Sequence, residues 1–177
     1  MPYAIVLYFN KEQDAPIRKL HQILTNKKII SYLPEIAIGP HITLAIYDDL
    51  NCDQCEEEIR LLASRSESLE VILSHIGIFN NQQQVVFLAA TVTDILLNFH
   101  NLVHKTLQNV SKKPWVNYLP GEWIPHCTLA MDLSKASVIE VVKLAQKIPL
   151  PITLNTESIG VVEFQPIKNL YSYHFKK

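Results

Sequence analysis

A chain of 177 residues with 48% hydrophobic and 19% charged side chains can bury a large core, which excludes an intrinsically disordered protein. Its 16 basic and 17 acidic residues leave a net charge of −1, which excludes strong electrostatic binding of a long nucleic-acid duplex. The apolar run at residues 3–9 is too short to span a membrane, and three cysteines without an export signal predict a cytoplasmic protein.

The first half of the chain predicts alternating strands and helices. Short apolar runs indicate strands, and apolar side chains at helical spacing indicate helices, the second of which Asn51 is placed to cap. The predicted elements are a strand at 3–9, a helix at 14–26, a strand containing Pro-His-x-Thr, a helix at 52–64, and strands at 69–79 and 85–91.

The second half repeats this order. A long loop at 111–123 precedes a second Pro-His-x-Thr strand, and Ser134 is placed to cap the helix that follows. The other predicted elements are a helix at 93–110, with apolar residues Ile95, Leu96, Phe99, Leu102, Val103 and Val110, and strands at 151–164 and 170–175.

The two halves share sequence as well as order. The stretch YLPEIAIGPHITLA begins at Tyr32, and YLPGEWIPHCTLA begins at Tyr118, while an Ile-Gly pair recurs at Ile76 and Ile159. Such self-similarity is typical of an internal duplication. We therefore expect one α+β domain of two lobes, from repeats at about 1–84 and 85–177, with an exchange of strands between lobes left open. Each lobe has a sheet backed by helices, and an approximate twofold axis relates the two.

The repeated motif places a histidine and a threonine on one face of a strand. Side chains alternate along a strand, so His41 and Thr43 lie about 7 Å apart on one face, as do His126 and Thr128. If the twofold axis brings the strands together, two imidazoles can act as acid and base, and two hydroxyls can donate hydrogen bonds to phosphate oxygens. This chemistry needs no metal, and the residues themselves do not decide which histidine is the acid.

His41-Ile42-Thr43-Leu44 and His126-Cys127-Thr128-Leu129 resemble the paired motifs of the two-histidine phosphoesterase superfamily. The resemblance is greatest to its bacterial 2'-5' RNA ligase and RNA 2',3'-cyclic phosphodiesterase branch. It implies a bilobal fold with mainly antiparallel sheets around a central cleft. It also implies cofactor-free opening of a 2',3'-cyclic phosphate to a 2'-phosphate, with reversible 2'-5' ligation left open. In that family's pattern His41 is the proton donor, His126 is the proton acceptor, and Thr43 and Thr128 bind phosphate.

The chain departs from the RNA-directed members of that family beside both motifs. Where those members carry an aromatic-Leu-Gly stretch and an arginine, this chain reads AIYDD and AMDLS. The acidic residues Asp48, Asp49 and Asp132 disfavour a long RNA. We therefore expect a monomeric protein whose substrate is a small nucleotide or an RNA terminus.

The loop before the second motif interleaves aromatic and basic residues. Trp115, Tyr118 and Trp123 follow Lys112 and Lys113, and base stacking on an aromatic ring contributes about 1–3 kcal/mol. These three aromatics are candidates for nucleobase contact. The alternative is that Trp115 and Tyr118 plug the lobe edges.

Two other classes of function stay open at this point. One is a binding module for nucleotides or RNA ends that keeps the cleft without turnover. The other is a thiol redox protein, suggested by Cys52 and Cys55 at a helix start, although their place on the apolar stripe favours packing. His100 and His104 have a spacing that can bind metal, but it more often marks a helix surface.

Overall fold

The computed structural model describes residues 2–30, 38–164 and 167–176. The first copy of the Tyr-Leu-Pro motif, at 32–34, lies outside these ranges. The described strands are β1 Tyr3–Phe9, β2 His41–Leu50, β3 Glu70–Phe79, β4 Val85–Ala90, β5 Ser111–Pro114, β6 His126–Ala130, β7 Ile152–Glu163 and β8 Lys168–His174; the helices are α1 Ala15–Asn26, α2 Cys52–Arg65, α3 Asp94–Leu107 and α4 Lys135–Ala145.

The strands pair antiparallel in the order β5-β2-β1-β7-β3-β4-β6, with β8 also beside β7. Strand β7 belongs to both parts of this arrangement. Its residues 156–163 pair with β1, whereas residues 152–155 pair with β3. The bilobal α+β fold is therefore confirmed, and the two lobes join along one long strand.

Local signals in the sequence explain most element boundaries. Asn51 accepts a hydrogen bond from the Gln54 backbone N–H at 3.2 Å, and Ser134 accepts one from that of Ser137 at 3.1 Å. A cap of this kind contributes about 1 kcal/mol to helix stability. Both predicted caps are confirmed.

The loop at 111–123 differs from the prediction, because it contains strand β5 and a 3₁₀ turn at Val116–Tyr118. Strand β5 pairs with the edge of β2, and the Trp115 N–H donates to the Ile46 carbonyl at 2.9 Å. The sequence SKKP lacks apolar alternation and ends in proline, which only an edge strand tolerates. Pairing with β2, and not the local sequence, therefore stabilises the strand conformation of β5.

Helix α3 also differs in part. It ends at Leu107, and Ile95 and Leu102 are 66% and 43% exposed although they were expected on its apolar face. The buried face is formed by Leu96, Phe99, His100, Val103 and Leu107. None of the helices described is long and apolar enough to cross a membrane.

The sheets bury one face against the helices and keep smaller apolar clusters on the other. The large core includes Ile5, Leu7 and Phe9 from β1 together with the helix faces. On the opposite faces lie cluster A, formed by Ala4, Val6, Ile46 and Val162, and cluster B, formed by Val85, Phe87 and Ala89.

Cys52 and Cys55 of α2 contribute to packing and are not placed as reactive thiols. Cys55 is buried in the large core, and burial raises the pKa of its thiol to about 11. Cys52 is half-buried at the start of the helix. A reactive thiol requires a lowered pKa, so this geometry disfavours the redox interpretation.

Candidate functional site

The two His-x-Thr strands come from different lobes and approach one another. Residues of β2 and β6 come within 8 Å, measured between Cα atoms. Thr43 lies opposite Val6 of cluster A, and Thr128 lies opposite Phe87 of cluster B. Directly opposed residues share a sheet face, so each His-x-Thr pair shares the face of its small apolar cluster, away from the helices.

Both imidazoles are held in the same way. His41 Nδ1 donates to the Gly39 carbonyl at 2.8 Å, and His126 Nδ1 donates to the Ile124 carbonyl at 2.7 Å. A carbonyl oxygen only accepts, so the proton of each neutral ring lies on Nδ1. Each Nε2 is then left with a lone pair, which can take a proton or, once protonated, give one.

The site favours neutral imidazoles. Burial lowers the pKa of His41 to about 4, although its bond to the Gly39 carbonyl acts in the opposite direction, and repulsion from a protonated His126 also acts to lower it. Burial likewise lowers the pKa of His126, against the effect of the Ile124 carbonyl. A proton donor therefore needs an additional negative charge in the cleft, which a bound phosphate would supply.

Aromatic rings next to the histidines were not predicted from the sequence. Phe79 and Phe87 lie 5.0 and 5.1 Å from the His126 ring, and Tyr8 lies 6.2 Å from the His41 ring, measured between ring centroids. A side chain at Gly77 would clash with the Phe87 ring, and one at Gly160 would come within 2.9 Å of the Tyr8 ring. The signal in the sequence was the repeated Ile-Gly pair, whose glycines make room for the Phe87 and Tyr8 rings.

The carbonyl that holds His41 belongs to a constrained turn. Gly39 has φ +85°, a region that favours glycine, and a Cβ there would lie 2.8 Å from Arg18 Nη2. Arg18 is itself fixed by two bonds of 2.6 and 2.8 Å to the buried carboxylate of Asp14. The acceptor for His41 is thus positioned by a glycine and an ion pair.

Gly39→Ala should therefore reduce activity as well as stability. The backbone strain costs about 1–2 kcal/mol, and a shift of the His41 acceptor should lower kcat/KM by about tenfold or more. Gly121→Ala is the matched control, because Gly121 has φ +95° but nothing within 4 Å of the added Cβ. Urea unfolding and steady-state kinetics of both variants test this. Equal activity in the two variants would contradict the positioning role of Gly39.

Trp123 occupies a structural position behind Thr43. It is only 8% exposed, stacks on the His100 ring at 4.0 Å, and donates from Nε1 to the Thr43 carbonyl at 2.9 Å. His100 Nε2 lies 2.9 Å from the Leu44 carbonyl and 3.0 Å from that of Tyr118. The Trp123 indole is therefore covered, which favours a role in supporting β2 over base stacking. His100 is itself engaged by the two backbone carbonyls.

The other two predicted stacking residues are more accessible. Trp115 is 43% exposed, and its Nε1 donates to the Asp48 carboxylate at 2.8 Å. Tyr118 is partly buried and packs against cluster A. The nucleobase hypothesis therefore applies to Trp115 and Tyr118 rather than to Trp123. Among the residues described, no group of three or more His, Cys, Asp or Glu side chains is placed to hold a metal ion.

His21 of α1 is a further buried histidine near the site. Its Nε2 lies 3.3 Å from the Thr128 carbonyl, and a proton on His21 would act to lower the pKa of His41. Burial lowers the pKa of His21 itself to about 4. The ring therefore links α1 to β6 while neutral.

The buried histidines should make the fold sensitive to acid. The pKa values of His21, His41 and His100 are lowered to about 4, whereas an unfolded chain titrates near 6.5. Between these values the unfolded state binds more protons, so the free energy of unfolding falls as pH falls from about 6.5 to 4. One such histidine contributes about 3 kcal/mol to this loss, at 1.36 kcal/mol per pKa unit.

Urea unfolding at pH 7.5 and pH 5 measures this effect. His21→Gln keeps a donor for Thr128 and should reduce the difference between the two pH values, whereas His75→Gln, at an exposed position of β3, should not. A wild-type stability that is equal at both pH values would contradict the prediction.

Comparisons with known proteins agree with this fold. The family model described as "2'-5' RNA ligase superfamily" matches residues 31–166. TT0787 of Thermus thermophilus superposes with a TM-score of 0.67 at 16% identity, covering 99% of this chain and 98% of that one. E. coli LigT in apo form gives 0.58 at 19% identity, with 99% and 98% covered. Usb1 of Kluyveromyces marxianus gives 0.55 at 13% identity, with 96% and 97% covered. No curated protein sequence matches the chain.

Proposed function

Because this chain belongs to the 2'-5' RNA ligase superfamily, we propose that it is a metal-independent phosphoesterase that opens 2',3'-cyclic phosphates to 2'-phosphates. The observation that carries the proposal is the matched state of His41 and His126. Each imidazole is fixed through Nδ1 to a carbonyl two residues before it, on strands that approach from two lobes. With two fixed Nε2 atoms, one imidazole can take a proton from the attacking group while the other gives a proton to the leaving group.

In this mechanism His126 Nε2 accepts a proton from water as the water oxygen bonds to phosphorus. The bond from phosphorus to the 3'-oxygen breaks, and protonated His41 donates from Nε2 to that oxygen. Thr43 and Thr128 donate hydrogen bonds to the non-bridging oxygens, which gain charge in the transition state. With an RNA 5'-hydroxyl in place of water, the same step forms a 2'-5' phosphodiester.

The negative charge of the substrate favours the protonated form of His41, which the proposed mechanism needs as its acid. Burial lowers the pKa of His41, so its protonated form becomes favourable when a phosphate anion lies beside it. Binding and protonation are therefore coupled. The proposed enzyme needs no cofactor, and on the sequence grounds given above it is a cytoplasmic monomer.

A small nucleotide or an RNA terminus is the proposed substrate. Asp48, Asp49 and Asp132 are exposed near the ends of the two motif strands, which disfavours a long polyanion. E. coli LigT, of similar fold, has been crystallised with 3'-AMP and with phosphate. Both observations support a substrate of limited length.

The test is hydrolysis of 2',3'-cyclic nucleotides and of a short RNA with a cyclic phosphate end, in the presence of EDTA. We expect turnover in chelator with a 2'-phosphate as the product, identified by chromatography against 2'- and 3'-phosphate standards. A 3'-phosphate product, or activity that chelator abolishes, would contradict the proposed reaction.

The alternative is a module that binds nucleotides or RNA ends without turnover. The observation that favours it is the lowered pKa of both imidazoles, which leaves neither histidine as a ready proton donor. Nucleotide binding by the wild type without hydrolysis of either substrate would support the module.

A further inference from the structure

We infer that the hydroxyl of Tyr8 binds the substrate, donating a hydrogen bond to a ribose or phosphate oxygen on the His41 side of the cleft. This inference rests on the proposed function and adds a group that the His-x-Thr motifs do not contain. Three observations carry it: the position of Tyr8, the state of its hydroxyl, and the asymmetry between the lobes.

Tyr8 lies on the face of the sheet that carries the proposed site. In β1 it is directly opposite His41, and two residues earlier Val6 is opposite Thr43. The Tyr8 and His41 rings meet edge to face, with centroids 6.2 Å apart. Tyr8 is therefore the neighbour of His41 on the sheet face where the proposed phosphate site lies.

The Tyr8 hydroxyl is buried and has no hydrogen-bond partner among the residues described. The ring packs against cluster A, which consists of alanine, valine and isoleucine side chains and offers no acceptor. An unsatisfied buried hydroxyl is destabilising, and such groups are rare enough to require an explanation. A ligand that supplies the missing acceptor is one.

The protonation state of Tyr8 suits a donor. Burial raises its pKa to about 12, so the proton stays on oxygen throughout the range in which a histidine pair can work. An anionic or sugar oxygen can then accept this proton, and the bond to an anionic oxygen is the stronger of the two.

The structure accommodates the Tyr8 ring in particular. A Cβ on Gly160 would lie 2.9 Å from Tyr8 Cε2 and 2.8 Å from the Tyr171 carbonyl, so glycine leaves the room that the ring fills. In the second lobe the residue opposite His126 is Ala89, and the rings beside His126 are the phenylalanines Phe79 and Phe87. The hydroxyl therefore distinguishes the His41 side, where the proposed mechanism places the departing 3'-oxygen.

Tyr8→Phe removes only this hydroxyl and tests the inference. We expect kcat/KM for a 2',3'-cyclic nucleotide to fall by about 10- to 100-fold, and the Kd of the nucleoside 2'-monophosphate product to rise, as measured by calorimetry. The melting temperature should stay the same or increase, because an unsatisfied polar group has been removed. A merely structural tyrosine would not combine lost affinity with retained stability.

Tyr171→Phe is the matched control. The Tyr171 hydroxyl donates to the Cys52 carbonyl at 3.3 Å, away from the His-x-Thr strands, so its loss should lower stability and leave activity unchanged. Wild-type kinetics and wild-type product affinity in Tyr8→Phe would overturn the inference and leave the proposed function intact. A fall in activity matched by a fall in melting temperature would also overturn it. An inactive wild type would instead count against the proposed function, and the product Kd would still report on Tyr8.

Discussion

His41→Ala and His126→Ala should each lower kcat/KM for a 2',3'-cyclic nucleotide by about 10²- to 10⁴-fold. Each variant removes one of the two fixed Nε2 atoms, so either the departing oxygen lacks a proton or the attacking water keeps its own. His174→Ala is the control, because the His174 side chain is 73% exposed in β8, three strands away from His41, and its loss should leave activity at the wild-type level. Wild-type turnover in either site variant would contradict the two-histidine mechanism.

The same two variants separate the acid from the base. A 4-nitrophenyl phosphodiester of a nucleoside has a leaving group that needs no protonation, so the variant that lacks the acid should lose much less activity on it. If His41 is the proton donor, His41→Ala should regain most of its activity on this substrate, and His126→Ala should not. If His126→Ala regains activity instead, His126 is the proton donor and His41 is the proton acceptor.

Trp123→Ala should lower the free energy of unfolding by about 3–5 kcal/mol, as expected for a large buried aromatic side chain. It removes the ring that stacks on His100 and the donor that binds the Thr43 carbonyl, a contact that joins residues 80 apart in sequence. Folded molecules of the variant should also lose activity, because the backbone at Thr43 is less constrained. Urea unfolding and activity per folded molecule measure the two effects.

Two controls make the Trp123 prediction specific. Trp123→Phe keeps a ring to stack on His100 but loses the donor, so it should cost only about 1–3 kcal/mol. Trp115→Ala removes a 43% exposed indole and should change stability little, but it should raise KM if Trp115 contacts a nucleobase. A loss in Trp123→Ala no larger than that in Trp115→Ala would contradict the structural role.

The sequence predicted most elements because their signals are local. The cap of α2 by Asn51 and that of α4 by Ser134 each depend on residues three apart. The alternation of His41 and Thr43 with Ile42 and Leu44 follows from the geometry of a single strand. Strand β5 was missed because its sequence has no strand signal of its own and gains its hydrogen bonds from β2.

The candidate site was predictable only in part. The duplication identified His41, Thr43, His126 and Thr128, but the choice of Trp123 as a stacking residue rested on composition, and the structure buries it. Tyr8, Phe79 and Phe87 read as ordinary strand residues in the sequence. Their contacts with the histidines arise only when β1 pairs with β2, β3 pairs with β4, and β4 pairs with β6.

By itself, then, the sequence determined the two-lobed repeat, the strands that carry the His-x-Thr pairs and the face on which each pair lies, since strand periodicity and a repeated motif are properties of neighbouring residues. Only the tertiary structure decided which rings surround each imidazole and that the pKa values of His41 and His126 are lowered. It also decided that the buried Tyr8 hydroxyl, beside His41, has no hydrogen-bond partner among the residues described. These properties depend on burial and on contacts between distant segments, which exist only once the sheets have formed.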